Sequence, residues 1–132
     1  ANELRQMAIW VGLGFQIWDD YLDATAPVEV LGKPSGSDIR QGKRTLLVIE
    51  ALNRTDDSER KELIKILDGT NNTDKDVKRA VEIMSDCGAL DNCREQALEY
   101  LNGAKKTIKK YTQSEARTML EELLEYMVTR GH

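Results

Sequence analysis

The chain has 132 residues, a formal net charge of −4, 40% hydrophobic and 32% charged residues, an ordinary balance for a folded helical protein. The acidic balance argues against a nucleic-acid binder held by phosphate electrostatics, because no basic excess exists to displace counterions. The longest apolar run, Met7 to Phe15, falls short of the roughly 20 residues a bilayer span needs.

In chain order, helical periodicity dominates, and no stretch alternates like a strand. The first helix is predicted from about Asn2 to Ala24. A long loop, Thr25 to Gln41, holds both prolines, Pro27 and Pro34, with Gly32 and Gly36. A second helix is predicted to open near Gly42 and run through Leu46-Leu47-Val48-Ile49 to about Asn53. A third follows Asp56-Asp57-Ser58, where acidic and hydroxyl side chains cap a helix start, and ends at Gly69. Asp56-Asp57 could also be taken for a metal pair, but a helix cap is the simpler account. A fourth opens at Thr73-Asp74-Lys75-Asp76 and closes near Gly88, and a fifth spans roughly Ala89 to Tyr111. The last opens on Thr112-x-x-Glu115, a capping-box pattern. It then repeats Ala116, Met119, Leu120, Leu123, Leu124, Met127 and Val128 along one face, with Gly131 as its stop. The architecture implied is all-α. Cys87 and Cys93, spaced C-x5-C, match neither a disulfide framework nor a paired zinc motif, and read as free thiols of a reducing cytosol. The chain opens Ala1-Asn2-Glu3-Leu4 with no initiator Met or signal peptide, which predicts that it begins inside a larger protein.

The chemistry concentrates in the first helix. From Met7 to Leu22 it is apolar on nearly all sides, and such a helix is expected to be buried. Its polar side chains, Gln16, Asp19, Asp20 and Asp23, fall within an arc of about 100° at i, i+3, i+4 and i+7. Gly12 precedes them by one turn and leaves room on the same line. The aspartates repel one another, lie at the helix end where the macrodipole favours positive charge, and have no basic residue after Gln6 to relieve them. The pattern calls for an external cation, and carboxylate oxygens select a hard one. Magnesium fits, because it takes one or two carboxylates and completes its shell with water and phosphate. The flat face of D-D-x-x-D does not suit the alternating ligands of a calcium loop.

Thirteen residues after Asp19 begins Gly32-Lys33-Pro34-Ser35-Gly36-Ser37-Asp38, then comes Gly42-Lys43-Arg44-Thr45. Glycines admit close backbone approach to an anion, and lysines are point charges suited to phosphate. The Walker A spacing is not met. Read alone, the stretch could be a plain surface turn. Beside three aspartates it points to a magnesium–diphosphate ligand.

Gly12-x-x-Phe15-Gln16-x-x-Asp19-Asp20-x-x-Asp23, with Gly32-Lys33 and Gly36-x-Asp38-x-x-x-Gly42-Lys43-x-Thr45-Leu46, resembles the second aspartate-rich region of the trans-isoprenyl (polyprenyl) diphosphate synthases. The resemblance implies a helical bundle around a central cavity, usually dimeric, with residues 1–132 forming the C-terminal part of one helical domain. It implies a cytoplasmic, Mg2+-dependent prenyltransferase that joins an allylic diphosphate to isopentenyl diphosphate, giving geranyl, farnesyl, geranylgeranyl or longer products. Departure of the diphosphate leaves an allylic cation, which the isopentenyl double bond attacks before a proton is lost.

Carried over by position, Asp19, Asp20 and Lys33 are the catalytic residues, and Asp19, Asp20 and Asp23 the metal residues, with Asp19 the direct ligand. Phe15, Gln16, Lys33, Asp38 and Lys43 bind substrate, Asp38 by orienting Lys33 or a metal-bound water. The first aspartate motif and the isopentenyl diphosphate site are absent from this chain, and members of the family are roughly twice as long. The resemblance therefore implies a missing N-terminal half, no turnover by this chain alone, and no information on product length. Related alternatives are a class I terpene cyclase or squalene-type synthase, and a non-catalytic subunit of a heteromeric synthase. Phe15-Gln16 before the aspartates, with the lysine loop after them, favours elongation.

Overall fold

The computed structural model describes the backbone of residues 2–130 and the side chains of residues 2–123. Eight helices and no strand occur among the described residues, in the order α1 (Asn2–Thr25), α2 (Val28–Leu31), α3 (Ser37–Arg40), α4 (Leu46–Arg54), α5 (Asp57–Asp68), α6 (Asp74–Asp86), α7 (Ala89–Ile108) and α8 (Gln113–Arg130). The all-α reading holds. No described helix is long and apolar enough to cross a membrane.

Local chemistry accounts for most helix ends. The Asp56 carboxylate accepts the Glu59 N–H at 2.8 Å, so this acidic pair starts α5 as a cap. Thr73 and Asp76 form a reciprocal capping box at the start of α6. At α8 the pattern is satisfied differently. The Thr112 hydroxyl accepts the Glu115 N–H and donates to the Glu115 carboxylate at 2.9 Å. Leu124, Met127, Val128 and Gly131 lie outside the described side chains.

Two boundaries differ from the sequence expectation. The long loop contains two one-turn helices, α2 and α3, too short to show a hydrophobic period. The following helix starts at Leu46 rather than near Gly42. Gly42 adopts a left-handed φ of +70°, which no helix continues, and the Thr45 hydroxyl caps α4 by accepting the Val48 N–H.

The chain gathers into two compact units. The first comprises residues 1–16 and 96–132. Its core is Met7, Ala8, Ala104 and Leu123, flanked by Leu4, Trp10, Val11, Ile108 and Met119. Gly14 permits close packing of α1 on α7, since a Cβ there would stand 2.9 Å from Leu101 Cγ. The expectation that the first helix is buried on nearly all sides fails here. Ile9, Leu13 and Phe15 are exposed, Phe15 by 50%. Among the described residues of this unit, the buried positions of α1 are Met7, Ala8 and Gly14.

The second unit comprises residues 17–95. α5 and α6 pack as an antiparallel pair, α4 lies on α6, and the short α3 rests on both α5 and α6. Ala51, Leu63, Ala80, Ile83, Met84, Ala89 and Cys93 are its most deeply buried apolar residues.

Candidate functional site

The three aspartates of α1 share a helix but not an environment. Asp19 is exposed, whereas Asp20 and Asp23 are 8% and 7% exposed. Burial first, then the charges of Glu50 and Asp20, pushes the Cys93 thiol upward. Asp23 is the joint between α1 and the loop after it. Its Oδ2 accepts the Asp38 N–H at 3.0 Å, its Oδ1 lies 3.7 Å from the Lys33 ammonium, and its backbone carbonyl accepts the Gly36 N–H at 2.6 Å. The loop itself therefore supplies positive charge to the acidic face. The sequence argument for an external cation did not anticipate this relief, because Lys33 is ten residues away along the chain.

The lysines remain accessible. The Lys33 and Lys43 side chains are 55% and 57% exposed, so each retains hydrogen-bond donors for an anion. Asp38 faces Lys43, with Oδ1 at 3.5 Å, and its carbonyl accepts the Lys43 N–H at 3.0 Å. Thus Asp23 attends Lys33, and Asp38 attends Lys43. Because α4 begins only at Leu46, Lys43 precedes the helix and does not sit on its N-terminus. Phe15 and Gln16, both exposed, stand one turn ahead of Asp19 on α1, in residues of the first unit. Among the described residues, no three His, Cys, Asp or Glu side chains gather into a group able to hold a metal ion.

What holds the loop is not visible in the motif. Gly36, at φ +87°, sits so close to α6 that a Cβ would stand 2.2 Å from Val77 Cγ1. Gly42 lies against the end of α5, where a Cβ would meet the Leu67 carbonyl oxygen at 2.5 Å. Between them, Ile39 is buried, and Arg40 Nη1 donates to the Asn72 carbonyl at 2.8 Å while Nη2 pairs with Asp74. Arg44 Nη2 meets Asp68 at 2.6 Å. Sequence reasoning missed Arg40, Asn72 and Asp74. The partners of Arg40 lie 32 and 34 residues downstream, and no local spacing reveals such a pairing.

A family model described as polyprenyl synthetase matches residues 1–84. The chain is 40% identical over 122 residues to a short chain isoprenyl diphosphate synthase of Methanothermobacter thermautotrophicus, covering 92% of this chain and 37% of that protein. It is 35% identical over 132 residues to a geranylgeranyl diphosphate synthase of Methanosarcina mazei, covering all of this chain and 39% of that one. Among solved structures, a geranylgeranyl pyrophosphate synthetase from Pyrococcus horikoshii superposes with a TM-score of 0.81 at 35% identity, over 96% of this chain and 38% of that one. A polyprenyl synthase from Caulobacter crescentus, complexed with calcium and isoprenyl diphosphate, gives 0.76 at 34% identity, over 92% and 37%. The chain spans less than two fifths of the length of these relatives.

Proposed function

The chain belongs to the polyprenyl synthetase family, and from that premise we propose that it supplies the magnesium–diphosphate half of a trans-prenyltransferase site. The whole reaction is condensation of an allylic diphosphate with isopentenyl diphosphate. The observation that carries this reading is the joint at Asp23. One carboxylate ties the helix bearing exposed Asp19 to the loop bearing Lys33, so an anionic metal ligand and an anion-binding ammonium belong to one structure. Relatives named short chain isoprenyl diphosphate synthase and geranylgeranyl diphosphate synthase favour elongation over cyclisation.

The donor set fits a hard dication that keeps most of its shell for water and phosphate. Asp19 offers an exposed carboxylate. Asp23 is already committed to the Asp38 amide and to Lys33, so it supports the site through these partners. Asp20, buried beside it, adds negative potential. One or two carboxylates with phosphate completing the shell is the usual magnesium arrangement. Mg2+ would neutralise charge developing on the departing diphosphate. Lys33 and Lys43 add hydrogen bonds to the same anion, and these strengthen as water is excluded. Gln16 stands near the reacting groups, and Phe15 presents apolar surface that shields a cation from water. The remaining groups, including those for isopentenyl diphosphate, come from outside these 132 residues, and the assembled enzyme is cytoplasmic and homodimeric.

The test is a condensation assay on the full gene product, with an allylic diphosphate, labelled isopentenyl diphosphate and Mg2+, comparing Asp19→Ala with the parent. A longer prenyl diphosphate, formed much more slowly by the variant, is the expected result. Diphosphate release without chain growth would move the assignment to a cyclase. No turnover with any allylic substrate would leave a non-catalytic subunit.

A further inference from the structure

The short helix α3 has four residues, lies between two glycines in left-handed backbone, and cannot sustain itself, since one helical turn does not repay its own nucleation. Its start is held by Asp23, through the Asp38 and Gly36 amides. Its end rests on buried Ile39 and on the contact of Gly42 with the end of α5, and Arg40 adds the directional polar tie. We propose that Arg40 is a positioning residue for diphosphate capture: by tying the end of α3 to the α5–α6 connection, it fixes where Lys33 and Lys43 stand relative to each other, without touching the ligand. The proposal rests on the diphosphate reading given above.

Both lysines take their positions from carboxylates at this joint, Lys33 from Asp23 and Lys43 from Asp38. Asp38, the second residue of α3, is bonded to Asp23 through its amide, so a rotation of α3 about that bond swings the Asp38 carboxylate, and with it Lys43, away from Lys33. A second attachment point removes that rotation. The Arg40 guanidinium supplies it with two bonds in different directions, to the Asn72 carbonyl and to the Asp74 carboxylate. Both acceptors are themselves fixed. The Asn72 side-chain amide donates to the Ile66 carbonyl at 2.7 Å, and Asp74 opens the helix whose start Thr73 and Asp76 cap. The helix dipole does not explain this contact, because a cation at the N-terminus of α6 is repelled by it. With its fork engaged by these two partners, Arg40 is not arranged as an anion ligand.

The experiment uses the full gene product and two readouts, amide hydrogen exchange over residues 38–43 and calorimetric titration with inorganic pyrophosphate in excess Mg2+. Arg40→Ala is expected to accelerate exchange in α3 about tenfold, the scale of losing one charge-assisted hydrogen bond, with α4 amides unchanged. The pyrophosphate Kd rises with it, several-fold or more. Arg40→Lys, which keeps the charge but not the fork, behaves like Arg40→Ala. Asp74→Asn gives a smaller change of the same kind and stands in for Arg40→Ala should that variant fail to fold. Lys33→Ala weakens binding with exchange unchanged. Weaker binding by Arg40→Ala at unaltered exchange, or rescue by Arg40→Lys, makes Arg40 a direct anion ligand and overturns the proposal. Faster exchange at unaltered Kd overturns it equally. If the parent chain does not bind magnesium pyrophosphate, the diphosphate reading fails and takes this proposal with it; a failure confined to the Arg40 and Asp74 variants removes this proposal alone.

Discussion

Replacing Gly36 by alanine should damage the second unit far more than the same change at Gly32, although both glycines have left-handed backbone, at φ +87° and +71°. The left-handed conformation costs an alanine about 1–2 kcal/mol at either position. At Gly32 no atom lies within 4 Å of the new Cβ, so nothing further is lost. At Gly36 the Cβ would stand 2.2 Å from Val77 Cγ1, with Val77 Cβ at 3.5 Å and Cγ2 at 3.7 Å. Valine in a helix has one strongly preferred rotamer and cannot swing aside. Either the valine leaves its rotamer or the loop lifts from α6, and overpacking of this kind costs a further 1–3 kcal/mol or so. Gly36→Ala should therefore lose roughly 2–5 kcal/mol, a large part of the 5–15 kcal/mol that holds a typical domain. Urea melts followed by Trp18 fluorescence in a Trp10→Phe background report on the second unit, because Trp18 stacks on Tyr21 there, with ring centroids 5.3 Å apart. In a Val77→Ala background the Gly36→Ala penalty should shrink by the steric part, leaving about the left-handed cost alone. Equal midpoint shifts for Gly32→Ala and Gly36→Ala, or a penalty unchanged by Val77→Ala, would refute the argument that α6 dictates glycine at this position.

Three further outcomes follow from the same geometry. Asp23→Ala should cost about 1.5–3 kcal/mol, the scale of a charge-assisted hydrogen bond, whereas exposed Asp19→Ala should stay within about 0.5 kcal/mol in the same melts; equal losses would contradict the division of labour between them. Cys93 is fully buried, and burial first, then the Glu50 and Asp20 charges, pushes its thiol up to about 11. Alkylation near pH 8 should modify Cys87 and leave Cys93 until the chain unfolds, and equal rates by mass spectrometry would count against this. Because the folded state favours the neutral Cys93 thiol, its contribution to stability is complete below the ordinary thiol range and is lost as pH rises through about 11. On the acid side, the hydrogen bond from Arg79 lowers Glu62, and the Thr73 backbone N–H followed by its hydroxyl lowers Asp76. Depressed carboxylates stabilise above their ordinary range and cease to do so as pH falls through their folded values. Glu62→Gln should therefore flatten the acid limb of a stability–pH curve, and an unchanged slope would exclude Glu62 from it.

The helical class, most helix ends and the aspartate and lysine motif were legible in the chain, because they depend on interactions within a few residues. Caps such as Asp56 and Thr73 bond amides three positions away, and Asp19, Asp20 and Asp23 fall on one arc by helix geometry alone. Such short-range terms survive any arrangement of the rest. The one-turn helices α2 and α3 were hidden, since four residues carry no period. The late start of α4 was hidden as well, because the left-handed turn at Gly42 is stabilised by the end of α5, 25 residues downstream. The assumption that α1 is buried all round failed for a related reason: apolar character predicts a preference for burial, while the neighbours that satisfy it must come from elsewhere. By itself the sequence determined which residues carry negative and positive charge and at what helical spacing. Only the tertiary structure decided that Asp20 is buried, that Asp23 serves Lys33 and the Asp38 amide, and that Arg40 reaches Asn72 and Asp74. Those outcomes depend on which surfaces meet when α3 settles on α5 and α6, and no local spacing encodes that meeting.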